Sequence, residues 1–187
     1  MWERLHRWLI RRLTLARIGG SGIVWTTYLG SGYSVEEEQV EKAKQLEELC
    51  REAVKSPAFE AKRDTTYCNK SVRFIAQGMN CYDFKADDLA NDILNKVATL
   101  KTWKHLPLEK VSQYAMQGRL IILGCSEKVH GHVVVGYPDH PQPSGSWGGD
   151  VPMVAHVGVS PNGILKLSQA FAAGKKDRVR AWMWEGA

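Results

Sequence analysis

The pattern of the chain changes at residues 118–135, which read Gly-Arg-Leu-Ile-Ile-Leu-Gly-Cys-Ser-Glu-Lys-Val-His-Gly-His-Val-Val-Val. The apolar runs at 120–123 and 133–135 are short, nearly continuous and rich in β-branched side chains. Such runs are typical of strands that are buried on both faces. The polar stretch between them, residues 126–131, has the length of a hairpin turn. We therefore expect two neighbouring antiparallel strands here.

Helical patterns precede these strands. Ser34 and Glu37 have the spacing of a capping box, and apolar residues then recur every three or four positions until Pro57. Cys50 lies on the apolar face of this first helix and is expected to be a small buried side chain. We expect further helices from about Cys68 to Gly78, from Asp87 to Leu100, and from Pro107 to just before Gly118.

More strand signals follow the second apolar run. We expect a loop over 137–150, a third strand over 151–159, a turn at 161–163 and a final strand over 179–184. Helices first and an antiparallel sheet second describe an α+β fold. We therefore predict one α+β domain over residues 34–187, with helices packed on a small antiparallel sheet.

The first 33 residues have a different composition. Residues 19–33 are rich in glycine, serine and threonine and predict a linker. Before them, apolar residues at helical spacing and an excess of arginine favour a packed or surface-lying amphipathic arm, which could contact a membrane, over an organelle transit segment. The apolar residues are Trp2, Leu5, Leu9 and Leu13, and the charged ones are Glu3, Arg4, Arg7, Arg11, Arg12 and Arg17. The arm lacks a clean secretory signal, so an exported protein would leave the cell without an obvious signal peptide.

Composition excludes several classes of protein. The chain has 187 residues, of which 44% are apolar and 24% charged, as in ordinary globular proteins. Its net charge of +5 favours anionic partners. The excess lies mostly in the arm, and the body shows no basic stripe interleaved with aromatic residues, so we expect no nucleic-acid partner. The sequence contains no run of 18 apolar residues, so we expect no membrane-spanning helix. Four cysteines without a CxxC pair argue against a disulfide scaffold or zinc ribbon.

Cys68 is the best candidate for a nucleophile. It stands at the predicted start of a helix, where the positive end of the helix dipole lowers the pKa of a thiol. The first backbone N–H groups of a helix have no intrahelical acceptor and can stabilise an oxyanion. The alternative interpretation is that Cys68 is one more small buried residue.

A thiolate nucleophile needs a base, and His130 and His132 frame Gly131 at the start of the second apolar strand. A third polar group would orient the imidazole, with His156 as the first choice and Asp150 as the second. A His-x-His pair can also bind zinc, in which case His156, Cys81 or Cys125 would have to supply a third ligand.

The order of these elements resembles a known family. Residues 68–74 read Cys-Asn-Lys-Ser-Val-Arg-Phe and open a helix, and Gly-His-Val-Val-Val at 131–135 follows the first strand after a short turn. This order is similar to that of the papain-like peptidoglycan amidases and endopeptidases of the CHAP and NlpC type, over roughly residues 60–160. In that family a cysteine heads a helix that packs on a small antiparallel sheet, and a histidine on an adjoining strand is the base.

The resemblance implies roles for individual residues. Cys68 would be the nucleophile, His132 the base and His156 the orienting residue. Tyr67 would help to complete the oxyanion hole. The loop over 144–148 departs from the family pattern, and we expect its Trp147 to line the cleft because the ring offers flat contact area to a substrate. No metal or organic cofactor would be needed.

The implied function is hydrolysis of an amide bond in peptidoglycan peptide stems, in the periplasm or at the cell wall. The chain would be a phage lysin or a secreted antibacterial amidase with an immunity or delivery protein as partner. The alternative is a non-catalytic wall- or protein-binding module on a degraded papain-like scaffold.

Overall fold

The computed structural model describes residues 34–62, 67–158 and 161–186. The predicted arm and linker over 1–33 lie outside the described residues. Within the described part, no helix combines the length and the apolar character needed to cross a lipid bilayer.

Three longer helices come first, and the sequence explains where the first of them begins. The first begins after the capping box of Ser34 and Glu37, in which the Glu37 N–H donates to the Ser34 Oγ (3.2 Å) and the Ser34 N–H donates to the Glu37 carboxylate (2.8 Å). Cys50 is fully buried on it, as predicted. The helices are α1 Val35–Lys55, α2 Cys68–Gly78, α3 Ala90–Thr99, α4 Val111–Ala115 and α5 Leu167–Ala170, with short 3-10 helices at Pro57–Phe59, Leu108–Lys110 and Ala173–Arg178.

The strands form two antiparallel sheets. The main sheet has six strands in the order β1-β8-β2-β3-β6-β7, and a separate two-stranded hairpin pairs β4 with β5. The strands are β1 Trp103–Leu106, β2 Ile121–Cys125, β3 His132–Gly136, β4 Gln142–Ser144, β5 Gly149–Val151, β6 Met153–His156, β7 Gly163–Lys166 and β8 Arg180–Trp184. Every pairing within the main sheet is antiparallel, so the predicted α+β class is confirmed.

The main sheet is covered on both faces, which accounts for its apolar central strands. On one face, Ile122, Val133 and Val135 join a core with the buried side chains of α1, α2 and α3. On the other face, Leu123 and Val134 join a second core with α4, α5 and the β4–β5 hairpin. We call the core formed with α1, α2 and α3 the first layer and the core formed with α4, α5 and the β4–β5 hairpin the second layer. The prediction that β2 and β3 are neighbours buried on both faces is confirmed.

Several sequence predictions need correction. The expected loop over 137–150 contains β4 and the start of β5. The expected strand over 151–159 is two strands, because β5 ends at Val151 and β6 begins at Met153, on either side of Pro152. Proline has no N–H to donate to a ladder, which favours a break at that position. The strands β1 and β7 and the helix α5 were not predicted.

Candidate functional site

Cys68 is the first residue of α2, as the sequence predicts. The Ser71 N–H donates to the Tyr67 carbonyl (3.0 Å) and opens the helical hydrogen-bond pattern, so the helix itself does not use the N–H groups before Ser71. The Ser71 hydroxyl donates to the Cys68 carbonyl (2.9 Å), which fixes this first turn. Cys68 is 4% exposed and belongs to the first-layer core. The nucleophile candidate therefore lies at the positive end of a helix dipole.

The two histidines of the predicted site contact each other. His132 is the first residue of β3, paired with Cys125 of β2, and His156 is the last residue of β6. Their ring centroids are 4.9 Å apart, with the planes at 66° in an edge-to-face arrangement. The His132 ring also packs against Phe171 just after α5, with centroids 5.1 Å apart. The antiparallel pairing of β3 with β6 thus brings together two residues that are distant in sequence.

All three predicted catalytic residues line one cleft of about 890 Å³, and His130 lines it too. The three residues are Cys68, His132 and His156. Its walls come from the starts of α2 and α3 on one side and from α5 and the 3-10 helix Ala173–Arg178 on the other. The cleft therefore opens at the end of the main sheet where the two layers meet.

The nucleophile and base candidates approach this cleft from different layers. Side chains alternate along a strand, so His132 lies on the same face of β3 as Val134, which belongs to the second layer. Its contact with Phe171, also a second-layer residue, agrees with this placement. Cys68 belongs to the first layer. A reaction between them would take place around the end of β3 rather than across one face of the sheet.

Burial controls the charge of His132. The pKa of the imidazole is lowered to about 4, mainly by burial and to a smaller extent by the nearby His156 and Lys175, whereas Glu127 acts in the opposite direction. The Nε2 atom of His132 is buried and has no hydrogen-bond partner among the described residues. At neutral pH the ring is therefore uncharged and able to accept a proton.

His156 is neutral for a similar reason. Burial lowers its pKa, and the bond to the Pro161 carbonyl acts in the opposite direction. Its Nδ1 lies 3.2 Å from the Pro161 oxygen, which can only accept, so Nδ1 carries the proton in this bond. The Pro161 carbonyl thus fixes the His156 tautomer, and Nε2 becomes the acceptor atom of the ring.

Gly158 makes room for the pair of rings. A Cβ at this position would lie 2.7 Å from Cε1 and Nε2 of His156 and 3.4 Å from Cε1 of His132. Its N–H donates to the Asn162 side chain (3.0 Å), which holds the segment after β6 in place. A larger residue here would displace His156, so Gly158 is part of the site although it carries no predictive sequence signal.

Three other predicted site residues lie elsewhere. Asp150, the alternative orienting residue, is exposed on β5 of the separate hairpin and does not line the cleft. Tyr67 precedes α2 and its ring contacts the Lys70 ammonium (4.4 Å), but it does not line the cleft either. Trp147, expected in the cleft, is buried in the second-layer core. Asp150 was predicted from its place at the start of a strand, and Tyr67 from its place beside Cys68. These positions in the sequence do not bring their side chains into the cleft.

The zinc alternative finds no third ligand among the residues that the structure describes. Among residues 34–62, 67–158 and 161–186, no group of three or more His, Cys, Asp or Glu side chains is placed to hold a metal ion. Cys125, one of the ligands considered, is buried on the second-layer side of β2, and its thiol donates to the Ser126 carbonyl (3.7 Å).

The groups that hold the turn before His132 were not predicted from the sequence. Asn91 of α3 bonds to this turn, and Lys175 pairs with Glu127 at 2.6 Å. All three residues line the cleft. No local sequence signal marks them, because their partners come from elements 36 and 48 positions away along the chain.

Comparisons with known proteins add no relative. Neither the protein-family models nor the curated proteins gave a match to this chain. The function is therefore inferred from the geometry of the cleft and from the motifs that line it.

Proposed function

We propose that this protein is a papain-like cysteine hydrolase that cleaves an amide bond in peptidoglycan peptide stems. One observation carries the proposal: a cysteine at the start of a helix and a half-buried histidine with a lowered pKa at the start of a strand line the same cleft. A thiol at a helix N-terminus and an imidazole that can accept its proton are the two groups that nucleophilic catalysis by cysteine needs. The Gly-His-Val motif at 131–133 supports the family assignment.

The first half of the reaction forms a thioester. The His132 imidazole takes the proton of the Cys68 thiol, and the sulfur attacks the carbonyl carbon of the substrate. The tetrahedral intermediate then collapses, the C–N bond breaks, and His132 gives the proton to the departing amine. A thiolate beside the ring favours the imidazolium and counteracts the burial that keeps His132 neutral at rest.

The second half releases the acyl group. His132 removes a proton from water, the hydroxide attacks the thioester carbonyl, and the C–S bond breaks. The thiolate then regains its proton from the imidazolium. In both halves the backbone N–H groups of the first turn of α2 stabilise the oxyanion, and one such donor contributes on the order of 3 kcal/mol in the transition state.

His156 fits the role of the orienting residue. Its ring packs edge-to-face against the His132 ring and is itself fixed by the Pro161 carbonyl. This support comes from packing and from a held tautomer, so its loss should cost less than the loss of His132. The substrate side of the proposal places the protein in the periplasm or at the cell wall, where peptidoglycan occurs.

The test is digestion of purified sacculi followed by mass analysis of the fragments. We expect wild-type protein to release stem peptides with a new amine and a new carboxyl group, each cleavage adding one water. Cys68→Ala should abolish this release, because no other cysteine among the described residues lines the cleft. Cys125→Ala is the matched control, since it removes a buried thiol that does not line the cleft, and it should retain activity. Full activity of Cys68→Ala would overturn the proposal.

A non-catalytic binding module is the second candidate. It is favoured by the burial of Cys68 (4% exposed) and by the position of His132 on the other layer. Such a module would sediment with sacculi while leaving their fragment masses unchanged. Binding without any new amine in wild-type digests would support this candidate over the hydrolase.

A further inference from the structure

The turn that leads into His132 is attached to helix α3. This β2–β3 turn, residues 126–131, lies next to Asn91, the second residue of α3. The Asn91 Nδ2 donates to the Glu127 carbonyl (2.9 Å), and the Ser126 hydroxyl donates to the Asn91 Oδ1 (3.0 Å). Both ends of one amide side chain are therefore used to hold the same turn.

The opposite side of the turn is attached to the 3-10 helix Ala173–Arg178. The Arg178 guanidinium donates to the Ser126 carbonyl (2.8 Å), and the Lys175 ammonium pairs with the Glu127 carboxylate (2.6 Å). The turn is thus fixed between the two walls of the cleft, one from each layer.

Gly131 brings Asn91 close to the backbone just before His132. A Cβ on Gly131 would lie 2.2 Å from the Asn91 Oδ1 and 3.3 Å from the Cys125 carbonyl. Only a residue without a side chain allows the amide to approach this closely. The contact lies one residue from the ring that the proposed mechanism uses as its base.

We propose that Asn91 is a positioning residue that fixes the β2–β3 turn and thereby the place of the His132 ring in the cleft. This inference rests on the proposed function for its catalytic meaning, but the positioning itself is a property of the fold. Asn91 acts through the turn, because its two amide atoms are engaged with Ser126 and Glu127.

The environment of His132 provides the readout. The ionisable groups that face it are His156 of β6, Lys175 of the 3-10 helix and Glu127 of the turn, and burial is the main cause of its lowered pKa. A turn released from α3 admits water to the ring. Water favours the charged imidazolium, so the pKa of His132 should rise toward its ordinary value.

The experiment measures the His132 ring titration by NMR in the full chain, with the signal assigned from a His132→Asn variant. We expect Asn91→Ala to raise the pKa of His132 by at least one unit, and kcat on stem peptides to fall about tenfold with KM unchanged. Asn95→Ala is the matched control, since it removes an exposed amide one turn further along the same helix, and it should leave both quantities unchanged.

A milder variant covers the case in which Asn91→Ala does not fold. Ser126→Ala removes one of the two bonds and should shift the titration in the same direction by a smaller amount. If His132 titrates as in wild type in every folded variant, the positioning role is wrong. If the titration shifts but wild-type protein cleaves no peptidoglycan, the positioning role stands and the proposed function fails.

Discussion

Polar atoms are buried at both ends of strand β3, but only one end supplies them with hydrogen-bond partners among the described residues. Tyr137, directly after the strand, is 3% exposed, and its hydroxyl donates to the Glu47 carboxylate (2.9 Å). Arg51 pairs with the same carboxylate at 2.9 Å and lies over the Tyr137 ring. At the other end, the Nε2 of His132 is buried without a partner among the described residues.

This difference separates a structural group from a candidate functional one. A buried polar group normally has a partner, because leaving it unpaired costs about 1–3 kcal/mol. The Tyr137 cluster follows that rule and ties α1 to the sheet. His132 departs from it in a cleft that Cys68 also lines, and its buried, unpaired Nε2 marks it as a candidate functional group.

The largest expected effect comes from removing the unpaired ring. His132→Ala should lower the rate of stem-peptide cleavage by roughly 10²–10⁴-fold, the usual contribution of a general base. His130→Ala is the matched control, because His130 lines the same cleft but is exposed and lies outside β3. It should retain most of the rate in the same digestion assay. The reverse result would mean that His130 is the base.

Acid should weaken the fold through the same ring. A histidine whose pKa falls from about 6.5 to about 4 on folding binds fewer protons folded than unfolded between those values. The lowered pKa therefore leaves the free energy of unfolding unchanged above about pH 6.5. It reduces that free energy progressively as the pH falls to 4, by about 3 kcal/mol in total. Chemical denaturation at several pH values measures this loss.

The comparison with a variant isolates His132 from other groups. Carboxylates such as Glu127, whose pKa the Lys175 bond lowers, also lose stabilising contacts in acid. His132→Asn lacks the titrating ring, so its unfolding free energy should fall less steeply than that of wild type over this pH range. Parallel curves for the two proteins would contradict the buried, neutral state of His132.

The smallest expected effect is at the partnered end of the strand. Tyr137→Phe removes one hydrogen bond but leaves Glu47 with Arg51, so it should lower the free energy of unfolding by about 1 kcal/mol. Cleavage of stem peptides should be unchanged. Tyr82→Phe, at a residue 72% exposed, is the control and should change neither quantity. A loss of activity in Tyr137→Phe comparable to that in His132→Ala would remove the distinction between the two ends.

The sequence predicted the parts of the fold that local patterns determine. The capping box of Ser34 marks the start of α1, and the apolar runs of β2 and β3 mark strands covered on both faces. The strand β7 was not predicted because Gly163, its first residue, belongs to the turn signal at 161–163, and its four residues are only half-buried. The strand β1 was not predicted because the polar residues Lys104 and His105 separate its two apolar end residues.

The candidate site was predictable only in part. Cys68 and His132 each carry a local signal, at a helix start and at a strand start, and the structure places both in one cleft. The layer to which each side chain belongs depends on strand register, which no local pattern gave for β6 and β7. Asn91 contacts a turn 36 positions away, and Gly158 makes room for two rings that come from different strands, so neither role is marked by a local sequence pattern.

The most direct test of the Cys68–His132 pair is the rate at which iodoacetamide alkylates each cysteine of the native protein at neutral pH. Burial raises the pKa of the Cys50 thiol and brings that of Cys81 to about 12, so both should react slowly. We expect Cys68 to react much faster than any other cysteine, and His132→Ala to slow it about tenfold or more. A Cys68 that reacts no faster than the other three, in wild type and variant alike, would contradict the account.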